Sequence, residues 1–502
     1  MQSSQDESGD ATVQDQRALN RLVIKNTFYL TASQAFTIPL AIVVNAVMAR
    51  YLGPSDFGFL YLASAICAFG FLLVNWGHDG VLPALVSQDR SRAGALLATS
   101  VVWRACLAIV VSAALALACF LLGYGSTFQW ILALSCLGAT LSAVLNSSKD
   151  TIRGFERADI VSYTHVGTQL LTALVVVPVL VFGGGTRAVL LAQAAPYLLV
   201  SFLVWRVLTS VGVGRLLISR EALTALARGG TPFVFFGLAM ALQPNIDAVY
   251  LSKLGTAEAM GWFAVSRRLT GVLVFPAVAL VDALYPTLCR LHVGEPKEFA
   301  RVTRGALNSV SLLVMPVALG CALYPDIGVA IFNRKSFGPS EDNLRVLSLF
   351  LLLVYFSMPL GACILAAGKQ RAWSIVQSLC VVISLVLDPV LIRYFQRHTG
   401  NGGLGVCVAC VVSEVVVVGC GVALAPRGVF DRKLLKSIGL AAVAGGGMAV
   451  AAWLMRPVVT PYVAAPVSVV LYAALLWLLG GISKEDAASL KGFVARKLSR
   501  SR

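Results

Sequence analysis

Residues 94–120 carry a single charge, Arg104, in a run of otherwise apolar and small residues. A helix needs about 20 such residues to cross the hydrocarbon core of a bilayer. Runs of this kind recur along the whole chain. Read by length, they give fourteen spans, near 27–49, 58–77, 94–120, 127–146, 160–182, 188–208, 231–252, 261–286, 305–326, 344–366, 373–392, 403–424, 436–455 and 461–480. Inside lipid every backbone N–H and C=O must be satisfied within the protein, and runs this long do so as helices. The expected class is an all-α polytopic membrane protein. Composition agrees, with 58% hydrophobic and 13% charged residues against about 25% charged in a soluble domain.

Charge sidedness supports the count. With the N-terminus in the cytosol, 28 of the 40 Lys and Arg fall on the tails and even-to-odd loops, nine on the opposite loops, and three inside spans. Such asymmetry sets orientation, so both termini are expected in the cytosol. The net charge of +16 is then an orientation signal. A nucleic-acid footprint needs a basic domain, and no such partner is expected. Residues 1–24 lack the basic start and cleavage site of a signal peptide and read as a disordered cytosolic tail. The basic tail, 483–502, reads equally as a lipid-surface segment or a solvated one.

The chain also repeats itself. "RYLGPSDFGFLY" links spans one and two, and "SKLGTAEAMGWFA" links spans seven and eight. "RGFERA" links spans four and five, and "AGKQRA" links spans ten and eleven, sharing G-x-x-R-A from Gly154 and Gly368. Six spans separate equivalent points, so the halves have the same orientation, the parallel-repeat pattern of some transporters. The expected domains are a six-helix lobe over 25–210, a cytosolic linker over 211–228, a second six-helix lobe over 229–425, and a helix pair over 426–482. Two such lobes can enclose a cleft, with substrate at their interface near mid-depth.

Charges inside spans are costly and usually face a bundle interior or a wet cavity. Span seven carries Asp247 after "LQPN", where Pro244 is expected to break the helix and Asn245 to offer polar groups. Span eight carries Arg267, Arg268 and, further on, Asp282. Asp247 and either arginine lie at similar depth on consecutive spans. They read as a structural ion pair or as a cationic wall gripping phosphate oxygens, a task suited to the planar guanidinium. Arg104, about ten residues into span three, reads as cavity-lining. Glu414 is the most isolated acid; it carries a coupling proton or pairs with a neighbouring helix, and Asp282 and Asp79 are further coupling candidates. Asp79 also reads as a solvated helix end, and Asp388, before Pro389, as serving local backbone needs.

Eleven cysteines lie mostly in apolar runs, and Cys407 and Cys410 read as small packing residues. No Cys/His spacing suggests a metal, no cofactor is expected, and the connections are too short for a catalytic domain. There is no Walker loop, G-x-S-x-G or H-E-x-x-H, so no catalytic residue is assigned and the chain reads as no enzyme.

"ARYLGPSDFGFLYLASAI", "NWGHDGVLPALVS", "RGFERADIVS", "NIDAVYLSKLGTAEAMGWFAVSRRL" and "LAAGKQRAW" together resemble the polysaccharide biosynthesis proteins that flip lipid-linked oligosaccharides. These belong to the multidrug/oligosaccharidyl-lipid/polysaccharide exporter superfamily. The resemblance covers most of the first twelve spans. It implies a bacterial or archaeal inner-membrane transporter whose two six-helix lobes hold a cationic, lipid-open cavity. Its cargo would be a polyprenyl-diphosphate-linked glycan. It implies membrane lipids as surroundings, and a polysaccharide polymerase and a chain-length regulator as partners. The "NID" match falls on Asn245, Ile246 and Asp247, and span-eight arginines fit Arg267 and Arg268. "VLPALVS" has Pro83 but no arginine near Leu85, where relatives often have one, leaving Arg104 as the first lobe's positive charge. Two other readings stand beside the flippase. A cation-coupled multidrug exporter wants acids in the first lobe, and a membrane-embedded glycan polymerase wants a large outer loop.

Overall fold

In a computed structural model of the chain, residues 3–210 and 212–481 are described. Every regular element among them is helical. Twelve helices among the described residues are long and apolar enough to cross a membrane. The expected fourteen exceed this by two for identifiable reasons. One of the twelve, Tyr29–Gln88, contains two expected spans, and the helix holding expected span seven is not among the twelve.

The chain divides into two compact units, residues 1–249 and 250–502. The first begins with α1 (Ser3–Asn75). A continuous helix of that length would run about 110 Å at 1.5 Å per residue. It is interrupted at Gly53, whose φ of 79° and ψ of 175° suit only glycine. The helix starting at Ser3 covers most of the tail expected to be disordered; that tail has no proline to stop a helix propagating backwards. Trp76 and Gly77 then adopt positive φ, and α2 (His78–Gln88) follows. Asp89 caps a short turn by accepting from Ser91 N. Next come α3 (Ala93–Leu121), α4 (Ser126–Gly154), α5 (Ala158–Val181) and α6 (Thr186–Ser210). α4 packs against α1, α2, α3 and α6 and forms the centre of this unit.

α7 spans Arg220–Leu254, so it begins inside the expected linker 211–228. Its first turns are claimed by the first unit: Ala222 and Leu226 bury against Val81, Leu82 and Val86, and Trp76 Nε1 donates to Ala227 O at 3.1 Å. The unit boundary accordingly falls near residue 249 and not in the linker. The helix also continues through Pro244, contrary to the expected break. Asn245 Nδ2 donates to Ala241 O at 2.6 Å, one turn back on the same helix.

The second unit contains α8 (Ala257–Gly294), α9 (Pro296–Leu323), α10 (Pro325–Phe332), α11 (Arg334–Phe337) and α12 (Ser340–Ala366). It continues with α13 (Gln370–Thr399), α14 (Gly402–Leu424), α15 (Arg432–Met455) and α16 (Pro461–Leu478). α12 is central, packing on α8, α9 and α14. Ala277, Val310, Val314, Leu351 and Tyr355 form one core across α8, α9 and α12, and Tyr355 Oη donates to Leu273 O at 2.6 Å. α15 and α16 pack together and onto α9, joined there by Tyr472 Oη donating to Leu312 O. The expected tail 483–502 lies outside the described residues.

α4 and α12 end in the same backbone cap, which also closes α3 at Gly123 and α5 at Gly183. After α4, Glu156 N donates to Arg153 O and Arg157 N to Ile152 O; after α12, Gly368 N donates to Leu365 O and Lys369 N to Ile364 O. Glu156 (φ 61°) and Gly368 (φ 74°) take the left-handed position.

Candidate functional site

Arg104 is enclosed by its own unit, with a side chain 0% exposed. Its Nη2 pairs with Asp150 Oδ2 at 2.9 Å and donates to Asn75 Oδ1 at 2.5 Å, while Nη1 donates to Ser147 Oγ at 3.1 Å and to Ala143 O at 3.2 Å. Ser147 Oγ continues the chain to Ser100 Oγ (3.1 Å), which bonds to His78 Nδ1 (3.0 Å). Trp103 closes the cluster, its ring 5.7 Å from those of Trp76 and His78. The expectation that Arg104 lines a wet cavity is thus corrected in this conformation. α4 extends to Gly154, beyond the expected end of span four, and so carries Asp150 into the bundle as a partner. The polar run "NSSKD" continues the helix past the expected end of span four at residue 146.

In the second unit, Arg267 and Arg268 lie on α8 and are both half-buried. The Arg267 guanidinium sits 5.4 Å from the Phe350 ring centroid on α12, where a cation–π contact contributes about 0.5–2 kcal/mol. Glu414 on α14 accepts a hydrogen bond from Ser357 on α12 and is within electrostatic reach of Arg267. Three helices that share the α12 axis thus bring a cation, an aromatic face, a hydroxyl and an acid together. Glu414 therefore has the neighbouring-helix contact that was one of its two sequence readings. Ser357 and Phe350 were missed, because a serine and a phenylalanine in an apolar span carry no signal by themselves.

The remaining acids separate. Asp247 is buried at 3% exposure and Asp388 at 0%. Asp282 is exposed. Asp79 is also exposed and accepts from Gly80 N at 3.1 Å, as a solvated helix end does. No group of three or more His, Cys, Asp or Glu residues suited to a metal occurs among the described residues.

A family model described as polysaccharide biosynthesis protein matches residues 47–337. No curated protein sequence matches the chain significantly. Among solved structures, the chain resembles a lipid II flippase MurJ in an inward closed conformation, with TM-score 0.71 and 11% identity, covering 91% of this chain and 99% of that one. It also resembles an inward-facing multidrug resistance MATE family transporter of the MOP superfamily, with TM-score 0.60 and 16% identity, covering 80% of this chain and 98% of that one. A MOP superfamily transporter from Pyrococcus furiosus, with a binding pocket of reversed polarity, gives TM-score 0.54 and 16% identity over 80% of this chain and 95% of that one. At these identities the likeness is one of fold alone, that of multi-pass helical membrane proteins.

Proposed function

Since the chain belongs to the polysaccharide biosynthesis protein family, we propose that it is a flippase that moves a polyprenyl-diphosphate-linked oligosaccharide across the inner membrane for surface polysaccharide assembly. A diphosphate with a sugar headgroup cannot cross hydrocarbon unaided, whereas its polyprenyl tail can remain in lipid. A wet, positively charged cleft lowers the barrier for the headgroup alone, and alternating access then turns it from one leaflet to the other.

The observation that carries this reading is the half-buried pair Arg267 and Arg268 on α8. A guanidinium binds phosphate bidentately through fixed N–H donors. Placed over Phe350, Arg267 is held partly dehydrated, and its attraction for a diphosphate is less screened than at a surface. Asp247 and Asn245 on α7 are further proposed cavity residues. Glu414, linked to Ser357, is the proposed coupling acid: a proton there changes the charge facing Arg267. A polymerase and a chain-length regulator are the proposed downstream partners.

The test uses purified protein in vesicles with a fluorescent polyprenyl-diphosphate oligosaccharide in one leaflet. Arg267→Ala and Arg268→Ala are each expected to slow flipping about tenfold or more, the loss of one charge-assisted contact. The double variant should fall to the protein-free rate. Wild-type rates in both single variants and the double variant reject the role of the pair. Vesicles that move organic cations but no glycan lipid point to the drug exporter instead.

A further inference from the structure

Glu414 stands where three helices meet its own. α14 packs against α12, α13 and α8, and each brings one group within reach of the Glu414 carboxyl. These are the Ser357 hydroxyl from α12, the Cys380 thiol from α13 and the Arg267 guanidinium from α8. Asp388, fully buried, lies farther along α13, about two turns past Cys380. Among these groups Arg267 is the cation. Its ring partner Phe350 and Ser357 are about two turns apart on one face of α12, so a single strip of α12 touches both the arginine and the acid.

Ser357 has two acceptors for its one hydroxyl proton. Its Oγ donates to Glu414 Oε1, and the Val354 carbonyl oxygen lies 3.3 Å from the same Oγ. A hydroxyl has one proton to give and two lone pairs to receive with, so it serves one acceptor at a time. Facing a carboxylate, it gives its proton to Glu414. Facing a carboxylic acid, it accepts from Glu414 and turns its own proton to Val354 O. Both protonation states of Glu414 are thus satisfied with no heavy atom moved. Ser357 is itself buried, where an unmade hydrogen bond would be costly.

Charge decides which state accompanies cargo. In the empty protein the Glu414 carboxylate is offset by Arg267. A diphosphate docked on Arg267 and Arg268 brings a negative charge on each phosphate and takes that offset for itself. A half-buried carboxylate left beside it is repelled by like charge and is costly inside a span. A proton from water, added to a Glu414 carboxylate oxygen, removes that cost.

We propose that Ser357 is a two-way hydroxyl that lets Glu414 take up a proton as the cargo's diphosphate docks on Arg267, so that cargo and proton bind together. The inference rests on the flippase reading of the α8 arginines. It adds the sign of the linkage and a positioning residue, Ser357, that acts through Glu414.

The test titrates the full-length protein in weakly buffered detergent with geranyl diphosphate and follows protons with a pH-indicating dye between about pH 5 and pH 8. The readout is proton uptake per diphosphate bound in the wild type minus that in Glu414→Gln, which cancels protons exchanged by the diphosphate itself. The expected difference is an uptake of about half a proton or more at its maximum, the yield of a tenfold change in proton binding. Ser357→Ala should move the pH of that maximum, and Ser357→Thr, which keeps the hydroxyl, should restore it; a serine with a packing role alone would not move it. No binding of geranyl diphosphate, or a difference of zero or of net release, overturns the proposal. A Ser357→Ala curve that matches wild type overturns the part given to the serine. Glycan-lipid flipping without the proton difference rejects this inference alone. A proton difference in a protein that flips no glycan lipid rejects the transport reading alone.

Discussion

Asp150→Ala removes the acid that faces Arg104 at 2.9 Å, between side chains 5% and 0% exposed. The site is closed to solvent, so the variant leaves a buried guanidinium without its counter-charge. Breaking a buried pair from one side costs about 3–5 kcal/mol. Three neutral acceptors remain on Arg104, from Asn75, Ser147 and the carbonyl of Ala143, which puts the expectation near the low end, about 3 kcal/mol. Arg104→Met should cost a similar amount by stranding Asp150, which keeps Arg153 at 3.9 Å as an ion-pair partner among the described residues. Replacing both, as Arg104→Met with Asp150→Ala, removes the charges together. Because it still leaves Asn75 and Ser147 short of a donor, it should also cost about 3 kcal/mol, giving a coupling of about 3 kcal/mol in the cycle. The assay is equilibrium unfolding of the purified protein in mixed micelles with rising dodecyl sulfate, followed by circular dichroism. A cost for Asp150→Ala below about 1 kcal/mol, the worth of an exposed pair, or a double variant that is simply additive, refutes the enclosed pair. Either result returns Arg104 to a water-filled space.

Other outcomes follow from the packing. A Cβ on Gly405 would meet the backbone of Leu391 and Ile392 at 2.5–2.6 Å, whereas one on Gly419 of the same helix meets nothing within 4 Å. Gly405→Ala should destabilise by about 1–3 kcal/mol, and Gly419→Ala should be neutral or stabilise by up to about 1 kcal/mol, read as thermal midpoints in detergent. If both shift alike, the close crossing of α13 and α14 is wrong. Glu414→Gln keeps an acceptor for Ser357 but cannot carry a proton. In vesicles it should retain flipping and lose its dependence on a pH gradient, and unchanged gradient dependence dismisses the coupling role.

How much was legible in advance differs from residue to residue. The runs around Arg104 and Glu414 announced helices in lipid, and "NIDAVYLSKLG" with "VSRRL" announced the family. The partners did not announce themselves. Asp150 sits in "NSSKDT", a polar string that looks like a loop until α4 is seen to run to Gly154. Ser357 looks like any small residue of an apolar span until α14 brings Glu414 against it. Pro244 looked like a break because a proline loses one hydrogen bond; the helix persists across it.

The sequence by itself determined that this is an all-helical membrane protein with few charges inside its spans, because lipid solvent makes each span a local property of composition and length. Only the tertiary structure decided what each buried charge faces. Those pairings join helices tens of residues apart, such as α3 with α4 and α12 with α14, and side-chain packing, which no local stretch encodes, sets which faces meet.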